Sequence, residues 1–169
     1  MIRPLLQDAF AHHVWATERL IDSCLGLAPE HLEATAPGTF GSIIATLRHL
    51  VGADASYLIA LTGGHRPPVE EEEMGLVALR EVTSANGGWW VALLAADLDP
   101  DAIVVRHRPD GSQSHAPAGI RLAQALHHGS DHRSQVCTIL TTLGVEPPAI
   151  DVWDFADEQG RLREVPSEN

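Results

Sequence analysis

Lysine is missing from this chain of 169 residues, whose basic side chains are 11 arginines against 23 aspartates and glutamates. Without lysine, the chain cannot form a lysine Schiff base, a Walker phosphate loop or a Ser-Lys dyad. The net charge of −12 argues against nucleic acid as a partner, because duplex binding draws on clustered cations. The same charge argues against an anionic membrane surface.

Cysteine is scarce as well, because Cys24 and Cys137 are the two in the chain and form no C-x-x-C pair. Two cysteines are too few for a disulfide framework, so we expect free thiols. The N-terminal residues lack a charged region followed by an apolar run and a cleavage site. No stretch approaches 18 uninterrupted apolar residues. We therefore expect a cytoplasmic protein without a membrane partner.

Apolar residues at helical spacing predict four long helices. Glycine and proline signals bound these helices, which cover residues 4–25, 42–61, 70–98 and 117–143. The acidic residues 70–73 would begin the third helix, and Gly87-Gly88 would weaken its middle. The link between the third and fourth helices is long, and its residues 103–107 would form a short strand or an extended crossover.

The four helices indicate an all-α fold, a four-helix bundle with a long crossover loop between its third and fourth helices. We expect a single domain over residues 1–169. Residues 151–169 would be an acidic tail that docks in part through Val152, Trp153 and Phe155, with its last ten residues loose.

Histidine is the residue present in excess, with ten in the chain. His128 and His132 are four residues apart, so they lie within about 40° of each other around the fourth helix. They fall on its apolar stripe, which faces the bundle interior. This spacing lets two imidazoles bind one metal ion. Cys137 lies on the opposite side of the helix and is a poor ligand for the same ion.

A catalytic zinc-type site takes three protein ligands and keeps one position open. His49 is the best third ligand, because it lies at the edge of the apolar stripe of the second helix. Its neighbours on that face are small and leave space for a substrate: Thr46, Ala53, Ser56 and Ala60. Asp131 and Gln135 could orient a ligand imidazole by hydrogen bonds. His13, on the inward face of the first helix, is a weaker candidate for a ligand.

Three segments carry these residues in a recognisable order. They read AFAHHVWATERLID with Trp15-Ala16, FGSIIATLRHLVGADASYLIALTG with His49, and LAQALHHGSDHRSQVCTILTTLG with an H-x-x-x-H-R-x-Q core from His128 to Gln135. The combination resembles the DinB-like superfamily of metal-binding four-helix bundles and covers most of the chain. The chain departs from the family pattern at Asp131 and Ser134, neither of which is one of the three ligand candidates.

The resemblance implies an up-up-down-down bundle, a homodimer, and a divalent ion, often nickel or zinc, held by His49, His128 and His132. Members of the superfamily include transferases and isomerases that use low-molecular-weight thiols, together with proteins assigned as hydrolases. A bound ion would lower the pKa of water or a thiol and create a nucleophile near neutral pH. The predicted function is therefore hydrolysis or thiol transfer on a small-molecule substrate.

Two other functions stay open on the sequence alone. A fourth protein ligand would indicate a closed site, as in a non-enzymatic, stress-related bundle whose metal serves stability. A site without metal would indicate a small-molecule binding module. Trp89 and Trp90 are adjacent and cannot both face one core, so one of them is a candidate for a dimer interface.

Overall fold

The computed structural model describes residues 5–108 and 110–165. The elements are α1 (Leu5–Cys24), α2 (Pro29–Leu32), α3 (Ile43–Leu61), a 3-10 turn (Glu71–Glu73), α4 (Leu76–Ala95), β1 (Ile103–His107), β2 (Gln113–Pro117), α5 (Ala118–Thr142) and α6 (Val152–Glu158). The mostly helical fold is confirmed, and the four long helices α1, α3, α4 and α5 correspond to the four predicted ones. The two-stranded sheet is a departure from an all-α fold.

Local signals set the ends of α3 and α5. The side chain of Ser42 caps α3 by accepting a hydrogen bond from the backbone N–H of Ala45. Gly144 follows the end of α5 at a φ of +73°, a conformation that strains any residue with a side chain. Both ends were expected from the sequence.

The helix α4 differs from its prediction in two ways. The acidic residues 70–73 do not begin it, because Glu71–Glu73 form a separate 3-10 turn preceded by Glu70, and α4 starts only at Leu76. The helix also runs unbroken through Gly87-Gly88. Gly87 serves close packing instead, since a Cβ atom there would lie 3.1 Å from Cγ1 of Val14 on α1.

Two apolar clusters fill the interior, and each draws on all four long helices. The first contains Leu20, Ile21, Ile43, Leu47, Leu79, Ile139 and Leu140. The second contains Phe10, Leu58, Trp90, Leu93, Leu122 and Ala125. Buried polar residues separate the clusters along each helix: His13 on α1, Asp54 on α3, Asn86 on α4 and Arg133 on α5. The bundle therefore has a polar layer at mid-height.

The order of the clusters along a helix shows which way that helix runs. The helices α1 and α5 pass from the second cluster to the first, whereas α3 and α4 pass from the first to the second. The bundle is thus up-down-down-up, which corrects the expected up-up-down-down arrangement. The crossover that runs the length of the bundle is residues 62–75, between α3 and α4. The longer link, residues 96–117, joins helix ends on the same side.

The link between α4 and α5 folds into an antiparallel hairpin in which Arg106 pairs with Ser114. This hairpin accounts for the strand foreseen at residues 103–107. The guanidinium of Arg121 holds it to α5 by donating to the carbonyl oxygens of Val104 and Ser114 at 3.0 and 2.8 Å. The strand β1 also contacts α3, which places Arg106 beside that helix.

The C-terminal segment returns to the bundle as α6. Asp151 begins this helix with a capping box, and Phe155 is buried with its ring 5.5 Å from that of Trp15. Val152 and Trp153 stay exposed, so the prediction that they dock is wrong. The expectation of a loose end over residues 160–169 falls partly outside the described residues.

The bundle covers much of the apolar surface of the tryptophan pair and of α3. Trp90 is buried in the second cluster, while Trp89 is half-buried against it.

The helix α3 is long and apolar enough to cross a membrane, but core helices pass the same test. In this protein 56% of its most apolar window is buried within the bundle.

Candidate metal centre

Three imidazoles meet where α3 packs against α5. The Nε2 atom of His128 lies 3.1 Å from Nε2 of His49 and 3.1 Å from Nε2 of His132. Potential ligand atoms of the three residues all lie within 4.8 Å of one another. The four-residue spacing puts two of the rings on one face of α5, and the packing of α3 brings the third opposite. The structure therefore brings together the three histidines that the sequence singled out, in a group that could hold a metal ion.

Gln135 orients the ring of His132. The backbone N–H of Phe40 donates to Oε1 of Gln135 at 2.8 Å, and the same oxygen lies 3.2 Å from Nδ1 of His132. Because an amide oxygen only accepts, Nδ1 carries the proton and Nε2 turns its lone pair toward the other imidazoles. Asp131, by contrast, is exposed, and no hydrogen bond joins it to an imidazole in residues 5–108 and 110–165.

Burial first, and then the neighbouring His132 and His49, lower the pKa of His128 to about 4. Burial likewise lowers the pKa of His49, with His132 acting in the same sense and Glu71 against it. Both rings are therefore neutral near pH 7, and each has one nitrogen whose lone pair is available to a cation. Nδ1 of His128 is buried and lacks a hydrogen-bond partner among the described residues.

The metal-free protein should lose stability as the pH falls from about 6.5 toward 4. In this range the unfolded chain protonates position 128 while the folded chain does not, so proton binding favours unfolding. Urea unfolding at several pH values, in the presence of a chelator, measures the slope. His128→Asn should flatten it, whereas His127→Asn, at the exposed neighbouring position, should leave it unchanged. Equal slopes in wild type and His128→Asn would contradict the expectation.

Aromatic rings and a cavity flank the histidines. The ring of Phe40 stacks on His49 with centroids 4.2 Å apart and also meets His132 edge-on at 5.3 Å. Tyr57 lies edge-on to His128 at 5.9 Å. A cavity of about 230 Å³ opens beside His49 and His128, and its remaining lining is Gly52, Ala53, Ser56, Tyr57, Glu71 and Arg106. Of the small residues predicted beside His49, Ala53 and Ser56 line this cavity, whereas Thr46 is fully buried and Ala60 lines a neighbouring cavity.

Glu71 reaches this cavity because α3 has a glycine opposite it. A Cβ atom at position 52 would lie 2.2 Å from Cδ of Glu71, so the carboxylate occupies the space that a side chain would fill. The crossover formed by residues 62–75 runs back along α3 and brings the 3-10 turn against that helix. Sequence reasoning missed Glu71, since nothing in the acidic run distinguishes it from its exposed neighbours Glu72 and Glu73.

A second buried polar group links all four long helices. The guanidinium of Arg133 on α5 donates from Nη1 to Nδ1 of His13 on α1 at 3.1 Å. The other ring nitrogen of His13 donates to Oδ2 of Asp54 on α3 at 2.8 Å. Burial lowers the pKa of Arg133 to about 10, which still leaves the guanidinium charged near pH 7. Asp54 supplies the opposite charge, and it also accepts a 3.4 Å hydrogen bond from Nε1 of Trp90.

This network explains why His13 is not a metal ligand candidate in the structure, although it faces inward as expected. Its two ring nitrogens are used by Arg133 and Asp54. Gly129 makes room for it, because a Cβ atom there would lie 2.3 Å from Cε1 of His13. The sequence analysis did not identify Asp54. The signal was available, because Asp54 is a lone carboxylate on the apolar stripe of the second helix.

The two cysteines stand apart from the histidine group. Both are free thiols, as expected, with Cys24 buried and Cys137 half-buried. Burial raises the pKa of Cys24 to about 11 and also raises that of Cys137. Neither thiol therefore becomes a thiolate near pH 7, and neither supplies a protein nucleophile.

The comparisons with known proteins agree with this architecture. The sequence matches the DinB family over residues 1–165. A DinB-like protein from Bacillus cereus ATCC 10987 is similar in structure, with a TM-score of 0.66 and 17% identity over 86% of this chain and 95% of that one. A DinB family member from Shewanella denitrificans has a TM-score of 0.62 and 15% identity over 98% and 96% of the two chains. No curated protein matches the chain.

Proposed function

The chain belongs to the DinB family, and from that premise we propose that it is a metal-dependent enzyme acting on a small molecule. His49, His128 and His132 would be the ligands of one divalent ion, nickel or zinc. The observation that carries the proposal is the convergence of their ring nitrogens within 4.8 Å, next to a cavity large enough for a substrate group.

The spacing of the ring nitrogens fits a shared cation. Zinc binds imidazole nitrogen at ~2.0–2.1 Å, so two such ligands of a tetrahedral ion lie about 3.3 Å apart. The Nε2 atom of His128 is 3.1 Å from Nε2 of both His49 and His132. Lone pairs this close repel unless a proton or a cation lies between them. Three imidazoles are also a donor set that suits zinc and nickel.

The open side of the histidine group favours catalysis over a purely structural role. Structural zinc sites are closed by four protein ligands, whereas the group found in the described part of the chain has three. A divalent ion held here would polarise a substrate and lower the pKa of water or a low-molecular-weight thiol. The cavity beside His49 and His128 is where such molecules would enter.

Glu71 is the residue that we assign to proton transfer. Its carboxylate lines the same cavity as His49 and His128, and its charge partly opposes the lowering of the His49 pKa that burial causes. A carboxylate in this position can accept a proton from the attacking water or thiol and return it to the leaving group. In this proposal Glu71 would act as the base for a water or thiol bound in the cavity.

Gly52→Ala should displace the Glu71 carboxylate at little cost in stability. The new Cβ would collide with the end of a flexible side chain that can swing outward, and alanine is favoured over glycine within a helix by ~1 kcal/mol. We expect turnover to fall by about 100-fold or more, as in Glu71→Gln, while the free energy of unfolding stays within about 1 kcal/mol of wild type. Wild-type turnover in Gly52→Ala would contradict the role given to Glu71.

An assay with and without thiol separates the two proposed reactions. Metal-loaded protein is offered an aryl ester, first alone and then with cysteine as the added thiol, and metal-free protein provides the background rate. Turnover that is independent of thiol supports a hydrolase, and turnover that requires thiol supports a transferase. If metal removal lowers the melting temperature but neither assay shows turnover, the protein would be a non-enzymatic bundle whose metal serves stability, and the proposed enzyme would be wrong.

We further propose that the protein is a cytoplasmic homodimer without nucleic-acid or membrane partners. The resemblance to the family supports the dimer, and the net charge of −12 supports the absence of nucleic-acid and anionic membrane partners. Sedimentation equilibrium over a wide concentration range tests the dimer. A monomer mass at every concentration would contradict it.

A further inference from the structure

Arg106 lies between two cavities. One is the polar cavity of about 230 Å³ beside His49 and His128. The other is a cavity of about 650 Å³ whose lining includes Ile59, Ala60, Pro68 and Val105. Ser56 and Arg106 line both of them. The two cavities are therefore neighbours. The smaller one is polar and ends at the histidines, the larger one is mainly apolar, and the guanidinium of Arg106 lies where they meet.

The guanidinium of Arg106 has no partner among the residues that the structure describes. Within residues 5–108 and 110–165, no carboxylate or carbonyl oxygen forms an ion pair or hydrogen bond with it, although Arg19, Arg80 and Arg161 each pair with a carboxylate. Arg106 instead has cationic neighbours. The pKa of Arg121 is lowered by burial first and then by the charges of Arg106 and Arg108. Of these three arginines, Arg108 interacts with the carboxylate of Asp110, and Arg121 donates to two backbone carbonyl oxygens. Arg106 is therefore the one whose guanidinium is not engaged by another described residue.

We propose that the substrate is an organic anion whose carboxylate or phosphate group is bound by Arg106. Its apolar body would occupy the larger cavity, and its reacting end would extend toward the histidines. A guanidinium donates two parallel hydrogen bonds to either oxyanion. The opposite charge of Glu71 beside His49 disfavours binding of the anion at that end, so the two charged residues set the direction in which the molecule enters. This inference rests on the proposed function and names its substrate class.

Titration calorimetry at low ionic strength tests the anion site with three probes of similar body. Phenylacetate carries a carboxylate, phenyl phosphate carries a phosphate, and 2-phenylethanol carries no charge. Metal-loaded wild type should bind one or both anions on the order of tenfold more tightly than the alcohol. The tighter of the two identifies the oxyanion. Arg106→Gln should remove this preference and leave the affinity for the alcohol unchanged.

Arg163→Gln is the matched control, because it removes the same charge from the exposed C-terminal segment. It should retain wild-type anion affinity. Equal binding of anions and alcohol by wild type, an unchanged affinity in Arg106→Gln, equal losses in the two variants, or no binding of either anion would each overturn the inference. The metal content of the same samples is measured separately. A preference for anions that persists in His128→Ala and disappears in Arg106→Gln would uphold the anion site even if the metal proposal failed.

Discussion

Replacing His128 with alanine should reduce the bound divalent metal from about one ion per chain to almost none. His128 is the central member of the group, since its Nε2 atom lies 3.1 Å from those of both His49 and His132. The variant keeps two imidazoles on different helices, which hold a divalent ion far more weakly. Losing only a hydrogen-bond partner of a ligand already costs ~10–100-fold in affinity. Elemental analysis of protein purified without chelators measures the change.

His127→Ala is the control for this experiment. The two positions are adjacent on α5, but the side chain of His127 is exposed and lies about 100° further round the helix. This variant should retain the metal content of wild type. If wild type and His128→Ala contained equal amounts of metal after the same purification, the three-histidine site would have to be abandoned.

Asp54→Ala should lower the free energy of unfolding by about 3–5 kcal/mol. Asp54 is 5% exposed, and its carboxylate accepts hydrogen bonds from His13 and Trp90. Its removal leaves the buried guanidinium of Arg133 without a counter-charge and two buried N–H groups without an acceptor. Urea unfolding at pH 7 measures the loss, provided that both variant and wild type are stripped of metal first.

The loss of stability in Asp54→Ala is compared with the loss in a variant that removes a surface ion pair. Arg80 on α4 pairs with Glu18 and Asp22 on α1, but its side chain is 39% exposed. Arg80→Ala should cost about 1 kcal/mol or less, because water screens both charges and solvates them once they are separated. If Asp54→Ala cost no more than Arg80→Ala, the buried network would not contribute to the stability of the fold.

Much of the helical framework could be predicted because its signals are local. Ser42 and Gly144 mark helix ends through hydrogen bonding and backbone conformation within a few residues. The grouping of His128 with His132 follows from helical periodicity alone, and His49 follows from the apolar stripe on which it lies. These features needed no knowledge of how distant segments pack.

The direction of the helices and the role of the crossover could not be obtained in this way. An apolar stripe shows which face of a helix is buried, but it is the same for either direction of the chain. The course of residues 62–75 along α3 decides where Glu71 lies, and only the packing against Gly52 shows it. Arg106 has the same dependence, since its place at the cavities follows from the contact between β1 and α3.

His132 and Arg133 are consecutive residues that serve two different groups, the histidine cluster and the buried link to His13. Each added residue in an α-helix turns everything that follows by about 100°. A one-residue insertion between His128 and His132 would therefore move His132 and the interior Arg133 out of place together. Substitutions along this stretch of α5 can be tolerated, but insertions and deletions there should be absent from homologues that keep both the histidine group and the fold.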